Sequence, residues 1–174
     1  TFVLGYQGQT PAPQFKSFAG MYFEKALPSI LWVSGNTGVN VFDNLSNGII
    51  TKGTALNVEY CQFKNIQPEP LYNQWCMATF NNNFNGSGIY GIGMKFGGNI
   101  LTQKGLGKYS TTKTFENVKY AIFTEKMRIS SLQNNMKNVT EGYRTTLSSG
   151  YKIDITDNQI DAQLQGVGLY HNDP

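Results

Sequence analysis

Six segments of this chain share one register, and that repeat constrains the fold more than any other feature of the sequence. Each segment carries a bulky apolar residue at the same place, and the steps between them are 21, 21, 31, 21 and 24 residues. The six leading residues are Phe42, Phe63, Phe84, Phe115, Met136 and Ile160. Self-similarity at a short period is typical of repeat architectures, in which each unit packs only on its neighbours. The sequence therefore predicts a solenoid of about six coils, with Phe42, Phe63 and Phe84 stacked on one another.

Asparagine recurs at two fixed places in these segments. It stands two residues before the leading residue in four of the six, and two residues after it in four of the six. The first set is Asn40, Asn82, Asn134 and Asn158, and the second is Asn44, Asn65, Asn117 and Asn138. Stacked asparagines can form amide ladders, and Asn tolerates the left-handed backbone of sharp corners. We therefore expect ladders at the corners, with Asn134 and Asn158 bonded between coils.

A small residue followed by an apolar one recurs six and seven places after the leading residue. The pairs are Gly48-Ile49, Ala121-Ile122, Gly142-Tyr143 and Gly166-Val167. Small residues fit where the chain bends or where another layer approaches closely. Between these places the chain alternates apolar and polar residues over short stretches, which favours strands over helices. At about 3.3 Å per residue, one repeat traces roughly 70 Å, a suitable perimeter for a three-sided coil. These patterns predict an all-β parallel β-helix.

Several of these stretches resemble the coils of right-handed parallel β-helix repeat proteins of the pectate-lyase-like superfamily. They are residues 42–50, 115–122, 136–143 and 153–160. The resemblance extends over residues 39–174 and is of the type found in secreted or surface proteins of Bacteroidota. That superfamily contains polysaccharide lyases, glycoside hydrolases, phage tailspikes and adhesins without chemistry. The resemblance implies an extracellular or cell-surface protein whose partners are glycans or other surface or assembly proteins.

The two ends of the chain differ from the repeat. Residues 1–38 do not join the register cleanly, and we expect them to form a divergent coil or a cap. Residues 39–174 then hold the repeats. Solenoids need polar caps, and the last coil ends without one, which predicts a fragment of a longer chain or stacking against another subunit.

Two stretches interrupt the regular spacing. The long step before Phe115 places about ten extra residues in the stretch from Gly97 to Thr114, which we expect to protrude from the solenoid. The second candidate excursion runs from Gln67 to Trp75, where two prolines force the chain away from a strand path. Insertions in solenoids often form the binding face.

Charge and cysteine content exclude several functions. The net charge is only +3 and the 14 basic residues are scattered, so we expect no nucleic-acid partner. There is no apolar stretch long enough to cross a membrane. Cys61 stands in the first asparagine column and should be buried or at a corner, whereas Cys76 falls elsewhere on the perimeter. A disulfide between them stays an open alternative, and two cysteines form no zinc site. We expect neither metal nor cofactor.

Catalytic candidates are few. The only histidine is His171, close to the end of the chain, which disfavours catalysis through a histidine base. If the protein is an enzyme, the carboxylates of Glu141, Asp154 and Asp157 are the candidates for paired-carboxylate chemistry. Acidic residues at turns are the alternative explanation for these positions.

The favoured function is binding without chemistry. Tyr72, Trp75 and Tyr109 fall in the two expected excursions, where exposed rings suit sugar stacking or protein contact. We expect an adhesin, a stalk or an interaction module. The alternative is a polysaccharide lyase, glycoside hydrolase or tailspike with the same fold, since a fold by itself does not determine function.

Overall fold

A computed structural model describes residues 17–24, 30–35, 38–68, 86–94, 99–147 and 150–172. Within these ranges the chain is all-β and contains no helix, and hence none that could cross a membrane. The strands are β1 (Ser17–Glu24), β2 (Leu31–Ser34), β3 (Asn40–Asp43), β4 (Leu45–Lys52), β5 (Leu56–Glu59), β6 (Cys61–Ile66), β7 (Ser87–Ile92), β8 (Ile100–Lys104), β9 (Phe115–Glu125), β10 (Arg128–Leu132), β11 (Asn135–Thr146), β12 (Ile153–Thr156) and β13 (Gln159–Asn172).

The described strands form two parallel sheets between which the chain alternates. The first sheet has the order β1-β4-β7-β9-β11-β13, with β3 and β6 paired beside this path. The second has the order β2-β5-β8-β10-β12. We number the levels 1 to 6 in the order β1, β4, β7, β9, β11 and β13. Strands β3 and β6 belong to the levels of β4 and β7, and each strand of the second sheet is counted with the first-sheet strand that precedes it in the chain. Parallel strands need crossover connections, and here each crossover between levels passes through the other sheet. The second sheet therefore gains one strand per level, and the first sheet gains two at the levels that contain β3 and β6.

The phenylalanine column is present, but its third member is not the one expected. The ring of Phe63 stacks on Phe42 at 4.9 Å between centroids and on Phe115 at 5.1 Å, with interplanar angles of 8° and 11°. Phe115 therefore occupies the place that the spacing predicted for Phe84, which lies outside the described residues. The column continues through Met136 and Ile160.

A long insertion within level 3 explains this difference. Ile66 pairs with Val118, and Ser87 pairs with Tyr120. Residues 67–86 thus stand where the next level has only Lys119. The strands on both sides keep their register, so the insertion leaves the stack intact. The Gln67–Trp75 stretch begins this insertion, and residues 69–85 lie outside the described residues.

The expectation that Gly97–Thr114 protrudes is wrong. Its residues 100–104 form β8, which lies between β5 and β10 in the second sheet, and Leu101 is fully buried. The following residues, 105–113, form what we call the corner loop. The Gly107 amide donates to the Gln133 carbonyl, and Asn135 Nδ2 donates to the Ser110 carbonyl at 2.7 Å. These bonds hold the loop against the turn after β10.

The small-residue column has a specific steric role. A Cβ added to Gly20, Gly48 or Gly88 would lie 2.5 to 2.7 Å from the ring of the leading phenylalanine one level on. Each glycine therefore makes room for that ring. Gly168, not Gly166, is the level 6 member, because Tyr143 pairs with Leu169. The first sheet has register shifts on either side of Val139, and these displace the spacing in β13.

The left-handed corners are confirmed, and the amide bonds between levels are confirmed for part of each asparagine column. Asn44, Asn65, Asn117 and Asn138 all have φ between 54° and 55°. Asn138 Nδ2 donates to Asn117 Oδ1, and Asn117 Nδ2 donates to Asn65 Oδ1. At the other corner Asn134 Nδ2 donates to Asn158 Oδ1 at 2.8 Å.

Cys61 is buried beside these corners as a free thiol. Its Sγ lies 3.3 Å from the Glu59 carbonyl, and burial raises the pKa of the thiol to about 11. Such a thiol is unreactive near neutral pH. Cys76 lies outside the described residues.

Candidate functional site

One continuous column of side chains runs along the first sheet on the face opposite the interior. Successive strand residues point to opposite faces. Ile49 accordingly belongs to the interior cluster, whereas Ile50 belongs to a second apolar cluster. We call this column the outer column. Its members, from level 1 to level 6, are Tyr22, Ile50, Tyr90, Phe123, Arg144 and Tyr170.

The lower half of the outer column is closely packed. Ile50 is fully buried, and the Tyr90 ring stacks on Phe123 at 4.8 Å. The Tyr90 hydroxyl donates to the Glu125 carboxylate, and the Tyr22 hydroxyl donates to Glu24 at 2.9 Å. Burial, reinforced by Glu125, raises the pKa of Tyr90 far above its usual range. Burial and Glu24 raise the pKa of Tyr22 to about 12. Both hydroxyls therefore remain protonated donors at neutral pH.

Arg144 takes the place of a ring at level 5. Its guanidinium carbon lies 4.7 Å from the Tyr170 ring centroid, 5.4 Å from that of Phe123 and 5.3 Å from that of Tyr120. Cations are attracted to the faces of aromatic rings within about 6 Å. The guanidinium is thus held between aromatic rings of neighbouring levels. We call Arg144, Glu141, Tyr120, Phe123 and Tyr170 the Arg144 cluster.

Glu141 neutralises this arginine from one side only. Arg144 Nη1 donates to Glu141 Oε1 at 3.0 Å. Within the described part of the chain, Glu141 Oε2 and Arg144 Nε are buried atoms without a hydrogen-bond partner. An unpaired buried polar atom costs about 1 to 3 kcal/mol. Both atoms are closed to solvent, so the accessible part of the cluster is the rest of the Arg144 side chain, which is 27% exposed, together with the half-buried Tyr170.

The three candidate carboxylates lie on different elements. Glu141 is in β11, where it belongs to the Arg144 cluster. Asp154 is in β12 of the second sheet, 3.4 Å from Lys152 Nζ. Asp157 follows β12 at a turn with φ of 54°, and it pairs with Lys108 at 3.1 Å. Each carboxylate has its own cation, so the described contacts do not join any two of them.

The predicted ligand-binding aromatics are only partly placed. Tyr109 is 83% exposed at the tip of the corner loop, with Lys108 Nζ 5.2 Å from its ring centroid. Tyr72 and Trp75 lie outside the described residues. His171 lies beside Thr145, with Nδ1 2.6 Å from the hydroxyl oxygen.

The sequence analysis did not single out three outward-facing residues that the structure brings forward. Trp32 is 64% exposed in β2, next to a cavity of about 310 Å³ lined by Met21, Leu31 and Val33 among others. Arg144 and Tyr170 were also missed. A signal for Arg144 existed, because it follows directly on Tyr143 of the small-apolar column, whereas the place of Tyr170 after Leu169 is shown only by the register of β13.

The described residues include no group of three or more acidic, histidine or cysteine side chains placed to hold a metal ion. No protein-family model, curated protein or solved structure matches this chain.

Proposed function

We propose that the chain is a right-handed parallel β-helix of about six coils that acts as a non-enzymatic interaction module. In this proposal it belongs to a secreted or cell-surface protein and serves as an adhesin or a stalk. The alternation of the chain between two parallel sheets supports the fold, as do the stacked phenylalanines and the asparagine ladder. A solenoid is stiff because each level packs along its whole length on the next.

The observation that carries the binding function is the Arg144 cluster at the end of the outer column. The column repeats at the strand spacing of about 4.8 Å, which matches an elongated partner better than a compact one. The partly exposed guanidinium of Arg144 can donate hydrogen bonds, which favours a hydroxyl-bearing partner. A glycan has this chemistry, and Tyr170 adds an aromatic ring beside it.

A glycan array tests this proposal. Wild-type protein is compared with Tyr170→Ala, which removes one ring from Arg144, and with Trp32→Ala as a matched exposed-aromatic control on the second sheet. We expect binding by wild type and Trp32→Ala and a loss of at least tenfold for Tyr170→Ala. Equal binding by all three proteins, or loss only in a Tyr109→Ala variant, would move the site away from the Arg144 cluster. Absence of binding to every glycan would overturn the glycan assignment.

The second candidate is a polysaccharide lyase, a glycoside hydrolase or a tailspike of the same fold. The observation that favours it is Glu141, whose Oε2 has no hydrogen-bond partner among the described residues and lies beside a guanidinium. A reducing-end assay on a panel of polysaccharides distinguishes the candidates. Turnover that disappears in Glu141→Gln, with glycan binding retained, would establish the enzyme. Binding without turnover supports the module.

A further inference from the structure

A polar cluster is buried in the interior between the two sheets. Gln103 and Asn134 form a reciprocal amide pair, with both N···O distances at 2.6 Å. The Ser131 hydroxyl donates to Gln103 Oε1 at 2.8 Å and lies 2.9 Å from the Tyr143 hydroxyl. All four side chains are at most 1% exposed. Burial raises the pKa of Tyr143 to about 12, so its hydroxyl stays protonated. We call these four residues the interior network.

The interior network interrupts a column that is otherwise apolar. In the second sheet, equivalent interior positions on successive levels pair in register. They are occupied by Val33, Val58, Gln103, Ser131 and Ile155. From the first sheet, the Tyr143 hydroxyl contacts Ser131. From the turn after β10, Asn134 bonds to both Gln103 and Ser131. The network therefore joins both sheets over levels 3 to 5.

Apolar stacking alone distinguishes the levels of this chain poorly. The leading column offers Phe, Phe, Phe, Met and Ile, and one corner offers asparagine at four levels, so a strand that skips one level still meets the same residue types. Twenty residues separate Ile66 from Ser87, whereas one residue separates Val118 from Tyr120, and the strands on both sides still pair in register. A pairing of β12 with β8, with β10 looped out, is thus the competing arrangement to be excluded.

The interior network penalises that arrangement. If β12 took the place of β10, Ile155 would replace Ser131 beside Gln103. Asn158 would replace Asn134 beside Gln103, and Leu169 would replace Tyr143, so the amide pair would be buried without the hydroxyls of Ser131 and Tyr143. Unsatisfied buried amides are costly, whereas the native pairing satisfies each of them. Buried polar residues specify register in this way in other repeating structures.

We infer that the interior network selects the native order of levels 3 to 5 by making the level-skipped pairing of β12 with β8 unfavourable. The network is then a device for structural uniqueness more than for stability. This inference is independent of the binding function, because none of its residues belongs to the outer column.

Paired cysteines report the register directly. Thr102, Ser130 and Asp154 stand at equivalent positions of β8, β10 and β12, one level apart. A Thr102→Cys/Ser130→Cys pair places the cysteines on neighbouring strands, within disulfide range. A Thr102→Cys/Asp154→Cys pair is two levels apart in the native order, about 10 Å, and can bridge only when a level is skipped. Peptide mapping locates each bridge, so Cys61 and Cys76 can remain.

Each reporter pair is introduced into wild type and into an apolar variant, Gln103→Val/Ser131→Val/Asn134→Leu/Tyr143→Phe, and is oxidised after refolding. In wild type we expect the neighbouring pair to bridge and the two-level pair to stay reduced. In the apolar variant we expect the two-level bridge to rise at least tenfold while the β-sheet circular dichroism persists. A two-level bridge at the wild-type level would overturn the inference.

A milder variant covers the case in which the fourfold change prevents folding. Ser131→Ala/Tyr143→Phe removes both hydroxyls and keeps the Gln103–Asn134 pair. We expect a smaller but measurable rise in the two-level bridge, at least threefold. The same yield as in wild type would again contradict the inference.

Discussion

Asn138 donates from Nδ2 to the Oδ1 of Asn117 at 2.7 Å, and both residues have left-handed backbone conformations with φ of 55° and 54°. Asparagine thus meets two requirements at this corner: it adopts the left-handed backbone conformation, and its side-chain amide bonds to the neighbouring level. The ladder continues from Asn117 to Asn65, and from Asn65 to the Asp43 carboxylate, which also pairs with Lys64. Each amide donates to the residue one level earlier in the chain, so the ladder ends on the carboxylate of Asp43.

The first prediction separates these two requirements at Asn117. Asn117→Gly keeps the left-handed conformation and removes the ladder, so we expect a loss of about 1 kcal/mol in the free energy of unfolding. Asn117→Ala adds the left-handed strain of a Cβ, a further 1 kcal/mol or so. Urea denaturation measures both. Equal stability of the two variants would contradict a left-handed requirement at this corner.

The second prediction concerns the contact between Gly48 and Phe63. A Cβ at Gly48 would lie 2.5 Å from Phe63 Cδ1 and would also meet the Gly88 carbonyl. Overpacking of this kind costs about 1 to 3 kcal/mol, so Gly48→Ala should lower the melting temperature clearly. Gly38→Ala is the matched control, since nothing lies within 4 Å of an added Cβ there. Similar melting temperatures for the two variants would mean that the ring has room to move.

The third prediction tests the buried amide at Asn134. Replacement by Ala removes the amide partner of Gln103 and leaves Asn158 Oδ1 with only the Asn134 backbone N–H, and the lost side-chain bonds run over less than 3 Å. We expect a loss of about 1 to 3 kcal/mol in the free energy of unfolding. Lys137→Ala, at an exposed position of β11, serves as the control and should change stability by less than about 0.5 kcal/mol. A neutral Asn134→Ala substitution would argue against the buried ladder.

The fourth prediction follows from the buried thiol of Cys61. Its pKa is raised to about 11 in the folded protein, so the folded state binds the thiol proton more tightly than the unfolded state does. The stabilising contribution is complete below the unfolded pKa, near 8.5, and is lost as pH rises toward 11. Wild type should therefore lose more stability than Cys61→Ala between pH 8.5 and 11, measured by urea denaturation at each pH.

Alkylation provides an independent check on the same residue. At pH 8 native Cys61 should resist iodoacetamide, and it should react in 6 M guanidinium chloride, with the modified peptide identified by mass spectrometry. Rapid labelling of the native protein would contradict the burial of this thiol.

The sequence by itself determined the parallel stacking and the corners. Phe42, Phe63 and Phe115 stack because identical side chains one level apart match in shape, and this requirement appears directly as a spacing. The same holds for Asn117 and Asn138, since few residues other than Asn and Gly adopt the left-handed conformation easily. Such requirements are local or repeat from level to level, so a single chain reveals them.

Only the tertiary structure decided which segment fills each level. Phe84 matched the spacing as well as Phe115 did, yet the pairing of Ile66 with Val118 assigns the level after Phe63 to Phe115. Leu101 looked like part of an excursion, although it is fully buried in β8. The spacing alone did not predict the ring contacts of Arg144. The strand register places its guanidinium between Phe123 and Tyr170. Pairing across levels depends on hydrogen bonds and packing between residues that are distant in the chain, and no local spacing encodes that choice.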